Sequence, residues 1–523
     1  MDVLDSFTAV MLKYLFKLQG HISGWTPDAN MTHQRMFTVW SVVVLLHLSS
    51  VSGKGVLLII GGDAGLQLGA YNNTDVRTPH LDELAKNGVV FTRAFSSSVS
   101  GGSASRSAIL TGLPAHQNGM FGSRSDLSPF NSYREVLGVS SILSAQGIKT
   151  GIIGINSLGP DSVYKYDYSQ TEANNDPLTI GRNITRINEL VSDFFSQYRM
   201  ENFFLVISLA DAERCSEPSY GQFCENYGDG QASTGSIPDW SPVSYNGSLL
   251  KLPYFVPDLE DARQDLANMY RSVSRLDQGI GLYITSLVDA GLFATTLVIY
   301  TSTGGVSFPG AKYNAWDGGA NVPLIIGSSG TSLSKVSDAL VSSLDITPTI
   351  FDYLGIQLPQ YSILGKRVTL TGQSLIPLLT NPTKSGQTEV FLTQNFIEVN
   401  DDITIRAIRN DTYKLIWNKF EKFPIVSEVF NSPTFIRLAN LTKGREKTYW
   451  WRDLRSYTTR GQYELYDFTF DPYEVMNVAD ESRYQQTLQE LQHKLAAWQR
   501  ATNDPWLCPR DHVNIDGTCE TYA

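Results

Sequence analysis

Val56-Leu57-Leu58-Ile59-Ile60, running into Gly61-Gly62-Asp63-Ala64-Gly65, is the stretch that decides the fold. Five apolar residues in succession leave a strand no polar face, so it must be covered on both sides, as a central strand of a parallel sheet is. The glycines and the aspartate after it mark the turn at its carboxyl end. Outward from this run the same alternation recurs. Val89–Phe95, Thr150–Ile153, Phe203–Leu209, Thr296–Thr301 and Val322–Ile326 read as strands. Pro79–Asn87 after a Thr78 cap, Ser105–Thr111, Asn183–Tyr198 and about Leu259 to Leu287 read as helices. In the longest helix Leu266, Met269, Tyr270, Val273, Leu276 and Ile280 form one stripe, which reads as core. The pattern predicts an α/β fold with a large, mostly parallel sheet sandwiched by helices. Ligands of such sheets lie beyond the carboxyl ends of the strands. Chemistry is therefore expected just after Ile60, Phe95, Ile153, Leu209 and Thr301.

Past Leu378 the linker Asn381-Pro382-Thr383-Lys384-Ser385-Gly386 breaks the composition. It divides a large domain, residues 55–380, from a smaller C-terminal α+β domain, residues 381–523, read as strands and one helix near Tyr484–Ala501. A chain of 523 residues with 42% hydrophobic and 18% charged residues has the balance of a packed globular protein. Its net charge of −11 provides no global field toward nucleic acid, so no nucleic-acid partner is expected.

The apolar run Met36–Val51 follows His33 and Arg35 and ends in Ser50-Val51-Ser52, which reads as a signal peptide over 36–52. Residues 1–35 are an extension of doubtful status, with Met31 or Met36 as alternative starts. Cleavage leaves no stable membrane span; an uncleaved anchor is the alternative. Sequons at Asn72, Asn183, Asn246, Asn410 and Asn440 agree with secretory entry and glycosylation. The four cysteines fall as two close pairs, Cys215 with Cys224 and Cys508 with Cys519, and read as short-range disulfides, with buried thiols as the alternative.

After the first strand stand Gly61-Gly62-Asp63-Ala64-Gly65, Ala70-Tyr71-Asn72-Asn73 and Thr78-Pro79-His80-Leu81-Asp82; after the second, Gly101-Gly102-Ser103-Ala104-Ser105-Arg106 and Leu110-Thr111-Gly112-Leu113-Pro114. Further on come Gly151-Ile152-Ile153-Gly154, Gly181-Arg182-Asn183, Ile237-Pro238-Asp239-Trp240, Pro253-Tyr254-Phe255-Val256-Pro257, Glu464-Leu465-Tyr466-Asp467 and Asn503-Asp504-Pro505-Trp506. In order and spacing these resemble the sulfatase family of the alkaline phosphatase-like superfamily. The likeness is strongest to its sulfamidases, which act on N-sulfated glucosamine in heparan sulfate, and covers nearly everything after Gly55.

The resemblance implies a formylglycine nucleophile made from Cys or Ser in the pattern Cys/Ser-X-Pro-X-Arg. Counted back from Arg106, that position is Gly102 and the proline position is Ala104. It implies a calcium ion held by two Asp after the first strand and an Asp-Asn pair after a later one; those positions read Gly62-Asp63 and Thr303-Gly304. Asn156, Ser157 and Glu213 stand where the family has a lysine and two histidines. Asp63, Arg106 and Lys312 remain as remnants of the pocket, Lys312 at the place of an arginine. Asp63 without a metal is expected to pair with Arg106 or cap a helix. Ser100 and Ser103 are out of frame as nucleophiles and would need a base.

The sequence-based expectation is a sulfamidase-like protein with no intact catalytic residue and no calcium cofactor: a pseudoenzyme, in lysosomes or outside the cell, that binds a sulfated glycan or an active sulfatase as partner. The alternatives are a hydrolase with a rebuilt site and a structural secreted glycoprotein. The resemblance leaves a homodimer open. Lys443–Arg455, with Trp450 and Trp451 among its bases, could face a sugar, or be a solvated surface over buried tryptophans.

Overall fold

The computed structural model describes residues 53–124, 130–175, 180–214, 243–327, 335–397, 401–419 and 427–507. The leader at 36–52, both cysteine pairs and the 237–240 motif lie outside the described residues.

The strands are β1 (Gly55–Gly61), β2 (Gly88–Phe95), β3 (Lys149–Gly154), β4 (Tyr168–Thr171), β5 (Phe203–Ser208), β6 (Thr296–Ser302), β7 (Asn321–Gly327) and β8 (Lys335–Ser342). They form one eight-stranded sheet in the order β4-β3-β5-β1-β6-β7-β2-β8. Every neighbouring pair is parallel except those made by β7, which runs antiparallel to β6 and β2. The helices of eight residues or more are α1 (Pro79–Lys86), α2 (Gly102–Thr111), α3 (Ile184–Tyr198), α4 (Glu260–Asp289), α5 (Ile346–Leu354), α6 (Pro433–Gly444) and α7 (Gln485–Ala501).

β1 is central because it is apolar throughout. Leu57 and Ile59 pack into the layer made by α1, α3 and α4, while Val56, Leu58 and Ile60 pack into the layer of α2 and α5. All five side chains are fully buried. Each such burial contributes about 1.5–3 kcal/mol, which fixes β1 in the middle of the sheet. The stripe of α4 from Leu266 to Ile280 is buried against the sheet as expected.

A short ribbon, β9 (Ser362–Ile363) with β10 (Lys366–Arg367), precedes the second sheet. That sheet is antiparallel, β11 (Val390–Ile397), β12 (Asp401–Arg409), β13 (Tyr413–Asn418) and β14 (Tyr463–Asp467), in sequence order. α7 covers one face through Leu488, Leu491, Leu495 and Trp498. The other face shares a cluster with Phe95, Val99 and Trp316, so residues on both sides of position 380 build a common core. Trp316 is buried between the guanidinium groups of Arg452 and Arg460, 3.7 and 3.8 Å from its ring.

Candidate functional site

Five loops converge beyond the carboxyl ends of β1, β2, β3, β5 and β6. Backbone bonds hold them in register: Gly62 N donates to Asp211 O at 2.8 Å, Ile155 N to Ser208 O at 2.8 Å, and Thr303 N to Gly61 O at 3.3 Å. The positions singled out in the sequence fall on these loops and on α2.

Gly102 is the first residue of α2, and Arg106 lies one turn further on. The Arg106 side chain is buried and folds back over the start of its own helix. Its Nε donates to Ser208 Oγ at 2.9 Å and its Nη2 to Leu209 O at 3.4 Å, with Glu213 Oε1 at 3.5 Å. A β-carbon added at Gly102 would collide with Arg106 Nη1 and lie 3.7 Å from Glu213 Oε1. The guanidinium and the carboxylate therefore fill the space next to residue 102. The positive end of α2 also favours the Glu213 charge there.

Asp63 is buried, and its Oδ2 lies 2.6 Å from Lys312 Nζ. This corrects the expectation of an Asp63–Arg106 pair: Arg106 is turned toward Ser208, Leu209 and Glu213, and Lys312 supplies the compensating charge. Gly62 is close-packed, since a β-carbon there would stand 2.7 Å from Ala210 O and 2.7 Å from Glu213 Cγ. The carbonyls of Thr303 and Gly304 accept from Ser96 Oγ (3.2 Å) and Ser302 Oγ (3.0 Å).

The calcium implied by the resemblance can be tested against this donor set. The ion takes roughly six to eight oxygens, several of them carboxylate. Here the Asp63 carboxylate has an ammonium against it, the Glu213 carboxylate is turned toward Arg106, and residues 62 and 304 have no side chain. No cluster of three or more His, Cys, Asp or Glu placed to hold a metal occurs among the described residues. The residues present do not fit the ion.

Asn156 and Ser157 follow β3, and their backbone N–H groups donate to Glu172 at 2.9 and 2.6 Å. Ser103 Oγ accepts from Arg124 N at 3.1 Å and Ser100 Oγ from Asn395 N at 3.0 Å, so both hydroxyls are held by donors, which do not activate a nucleophile. Sequence reasoning missed Asp211, buried beside Arg182 (2.5 Å), Arg275 (2.7 Å) and Ser272 (2.9 Å). Burial pushes its carboxyl up, but Arg275 and Arg182 outweigh this and hold it below the usual range. The signal was Arg182 in a quoted motif, a cation that needs a partner. Within Lys443–Arg455, Trp450 is buried and donates to Phe255 O at 2.8 Å, while Lys443, Arg445, Lys447 and Arg455 are exposed.

Beside the site, between the β1 and β6 loops and Pro472-Tyr473, lies a cavity of about 410 Å³. Its walls include Gln67, Asn73, Lys251, Tyr254 and Tyr473. The rings of Tyr254 and Tyr473 are 4.8 Å apart.

Comparison with known proteins agrees with this arrangement. The sulfatase family model matches residues 54–356. Human N-sulphoglucosamine sulphohydrolase is 42% identical over 480 residues, covering 90% of this chain and 95% of that protein. Among solved structures, a phosphonate monoester hydrolase from Silicibacter pomeroyi superimposes with a TM-score of 0.62 at 16% identity, over 89% of this chain and 98% of its own. A structure in complex with its substrate D-glucosamine-2-N,6-O-disulfate gives 0.61 at 16% identity, over 87% and 99%. The two structures share the fold; the family model, spanning more than half of the chain, and the human relative, aligned along nearly all of it, establish that this chain belongs to the sulfatase family.

Proposed function

We propose that this protein is a sulfamidase-like sulfatase homologue that does not turn over sulfate, and that it binds a glycan of the sulfated glucosamine class without cleaving it, in the secretory pathway. The observation that carries the reading is residue 102. It has no side chain to become a nucleophile, and Arg106 and Glu213 stand where one would project. Losing the nucleophile of a hydrolase can by itself cost on the order of 10⁶-fold in rate. The groups at 156, 157 and 213 add to that loss, since an acid or base positioned in a transition state contributes about 10²–10⁴-fold. Glycan binding is supported by the relation to a protein named for N-sulphoglucosamine and by the tyrosine-walled cavity beside the site. Secretory location is supported by the exposed sequons at Asn72, Asn246 and Asn440.

The test is turnover of an N-sulfated glucosamine substrate by the purified protein. Beside it stands a version carrying Gly62→Asp, Gly102→Cys, Ala104→Pro, Asn156→Lys, Ser157→His, Glu213→His, Thr303→Asp and Gly304→Asn together. Silence in the unaltered protein with activity in the restored one supports the reading. Turnover by the unaltered protein overturns it in favour of a rebuilt hydrolase.

A further inference from the structure

Six residues of the site interlock: Gly62, Asp63, Gly102, Arg106, Glu213 and Lys312. Gly62 and Gly102 leave a gap in which side chains would otherwise stand, and Glu213 lies across it, its Cγ over Gly62 and its Oε1 toward Gly102. From there the carboxylate reaches Arg106 Nη2 at 3.5 Å. At the next residue, the Asp63 carboxylate meets Lys312 Nζ at 2.6 Å, with 3% and 10% of the two side chains exposed. Each charge in the site is thus answered by another side chain of this chain, and the answering groups fit because residues 62 and 102 are glycines.

We infer that the site is self-occupied: the Lys312 ammonium stands in for a divalent cation at Asp63, and the Glu213 carboxylate stands in for a sulfate at Arg106. The inference rests on the reading of a silent site and specifies it. A tethered cation needs no metal from solution, so the fold carries its buried Asp63 without calcium. A tethered anion competes with any free sulfate at Arg106 at an effective concentration set by its tether, on the order of millimolar for a short flexible one. A bound glycan is then recognised by its rings and hydroxyls in the adjoining cavity, with its sulfate not seated on Arg106. Three substitutions that look like separate losses, at 62, 102 and 213, are one steric unit: a side chain at 62 or 102 would evict Glu213 or Arg106.

The experiment is thermal unfolding of the full secreted protein under two pairs of conditions: calcium chloride against EDTA, and sodium sulfate against sodium chloride at equal ionic strength. The unaltered protein is expected to show the same Tm in calcium and in EDTA, and no sulfate-specific rise. Glu213→Gln removes the resident anion and is expected to gain a saturable, sulfate-specific rise in Tm of several degrees. Lys312→Met is expected to lower Tm, Lys312→Arg to lower it less, and addition of Asp63→Asn to Lys312→Met to recover part of the loss, because the uncompensated carboxylate is then gone. A calcium-dependent rise in the unaltered protein overturns the first half of the inference; an equal sulfate response with and without Glu213 overturns the second. Calcium binding without turnover sinks the cation half of this inference and leaves the silent reading standing, whereas turnover sinks both.

Discussion

At residue 62 the absence of a side chain is a packing requirement as much as a lost ligand. A β-carbon there meets Ala210 O, which is backbone and cannot swing away, and Glu213 Cγ, which can. Gly62→Asp alone is expected to cost about 1–3 kcal/mol, as overpacking does. Adding Glu213→Ala should recover part of this and leave the clash with the carbonyl. Urea denaturation midpoints of the three proteins check it, and equal midpoints would show that the site is loosely packed. Asp211 tests the opposite kind of residue. It is the carboxylate that Arg182 and Arg275 share in the interior, and Asp211→Asn leaves two buried cations undercompensated, at an expected cost of about 3–5 kcal/mol in the same measurement. The sequence displayed which family positions had changed, since each is a letter in a motif. It could not display that Glu213 closes over Gly62 and Gly102, because the three lie on loops after different strands and meet only when the sheet forms. For the same reason charge alone suggested Arg106 as the partner of Asp63, when the approach direction of each side chain selects Lys312.

Among the elements, the strands legible in the sequence were those apolar on both faces; the two edge strands were not. β4 reads Tyr-Ser-Gln-Thr and β8 carries Ser337 and Asp338, because an edge strand is half covered and needs no continuous apolar run. α6 was also missed, although Ser432 caps it by accepting from Phe435 N at 3.2 Å and Pro433 is its first residue. α1 was found, but its cap was misassigned. Thr78 occupies the N-cap position without capping; its hydroxyl donates to Asp82 and accepts from Gly69 N. The first-turn amides of α1 are instead taken by Asp277 of α4, which accepts from Leu81 N at 2.8 Å and His80 N at 3.2 Å. The cap is a tertiary contact between elements far apart in the chain, so no local pattern announces it. Asp277→Ala is expected to lower stability by on the order of 2 kcal/mol at pH 7, because two amides lose their acceptor in a buried place. Asp277→Asn keeps an acceptor and should cost less. A calorimetric Tm for each separates the cases, and equal losses would show that the carboxylate's charge, and not its hydrogen bonds, matters.

On the scale of the whole molecule, three buried carboxyls in different regions bias the fold toward acid. Burial pushes Asp277 up to about 7 against the amide bonds it accepts, and pushes Asp345 up to about 6. Glu474 shares Lys414 with Asp317, at 2.6 and 2.5 Å. Burial raises both carboxyls, but Lys414 and Arg409 together hold Asp317 low, while Glu474 stays raised. Each raised group binds its proton more tightly in the folded chain than in the unfolded one. The folded state is therefore favoured as pH falls from the folded value toward the ordinary carboxylate range, and disfavoured as pH rises back through it. His116 works the other way: burial lowers it to about 3, so the unfolded chain takes up a proton near pH 6.5 that the folded one refuses. His80, lowered by partial burial, adds to that side. Between pH 7.5 and 5.5 Asp277 and Asp345 together take up about one and a half protons in the folded chain and Glu474 adds to them, while the unfolded chain takes up about one at His116 and a further part at His80, so the balance favours the acidic end by about 1–2 kcal/mol. Urea unfolding at the two pH values should place the higher midpoint at 5.5, and Asp277→Asn should shrink the difference. A higher midpoint at pH 7.5 would mean that the histidines dominate. The property belongs to the fold as a whole, since the three carboxyls lie on different elements, Asp277 on α4, Asp345 just after β8 and Glu474 after β14.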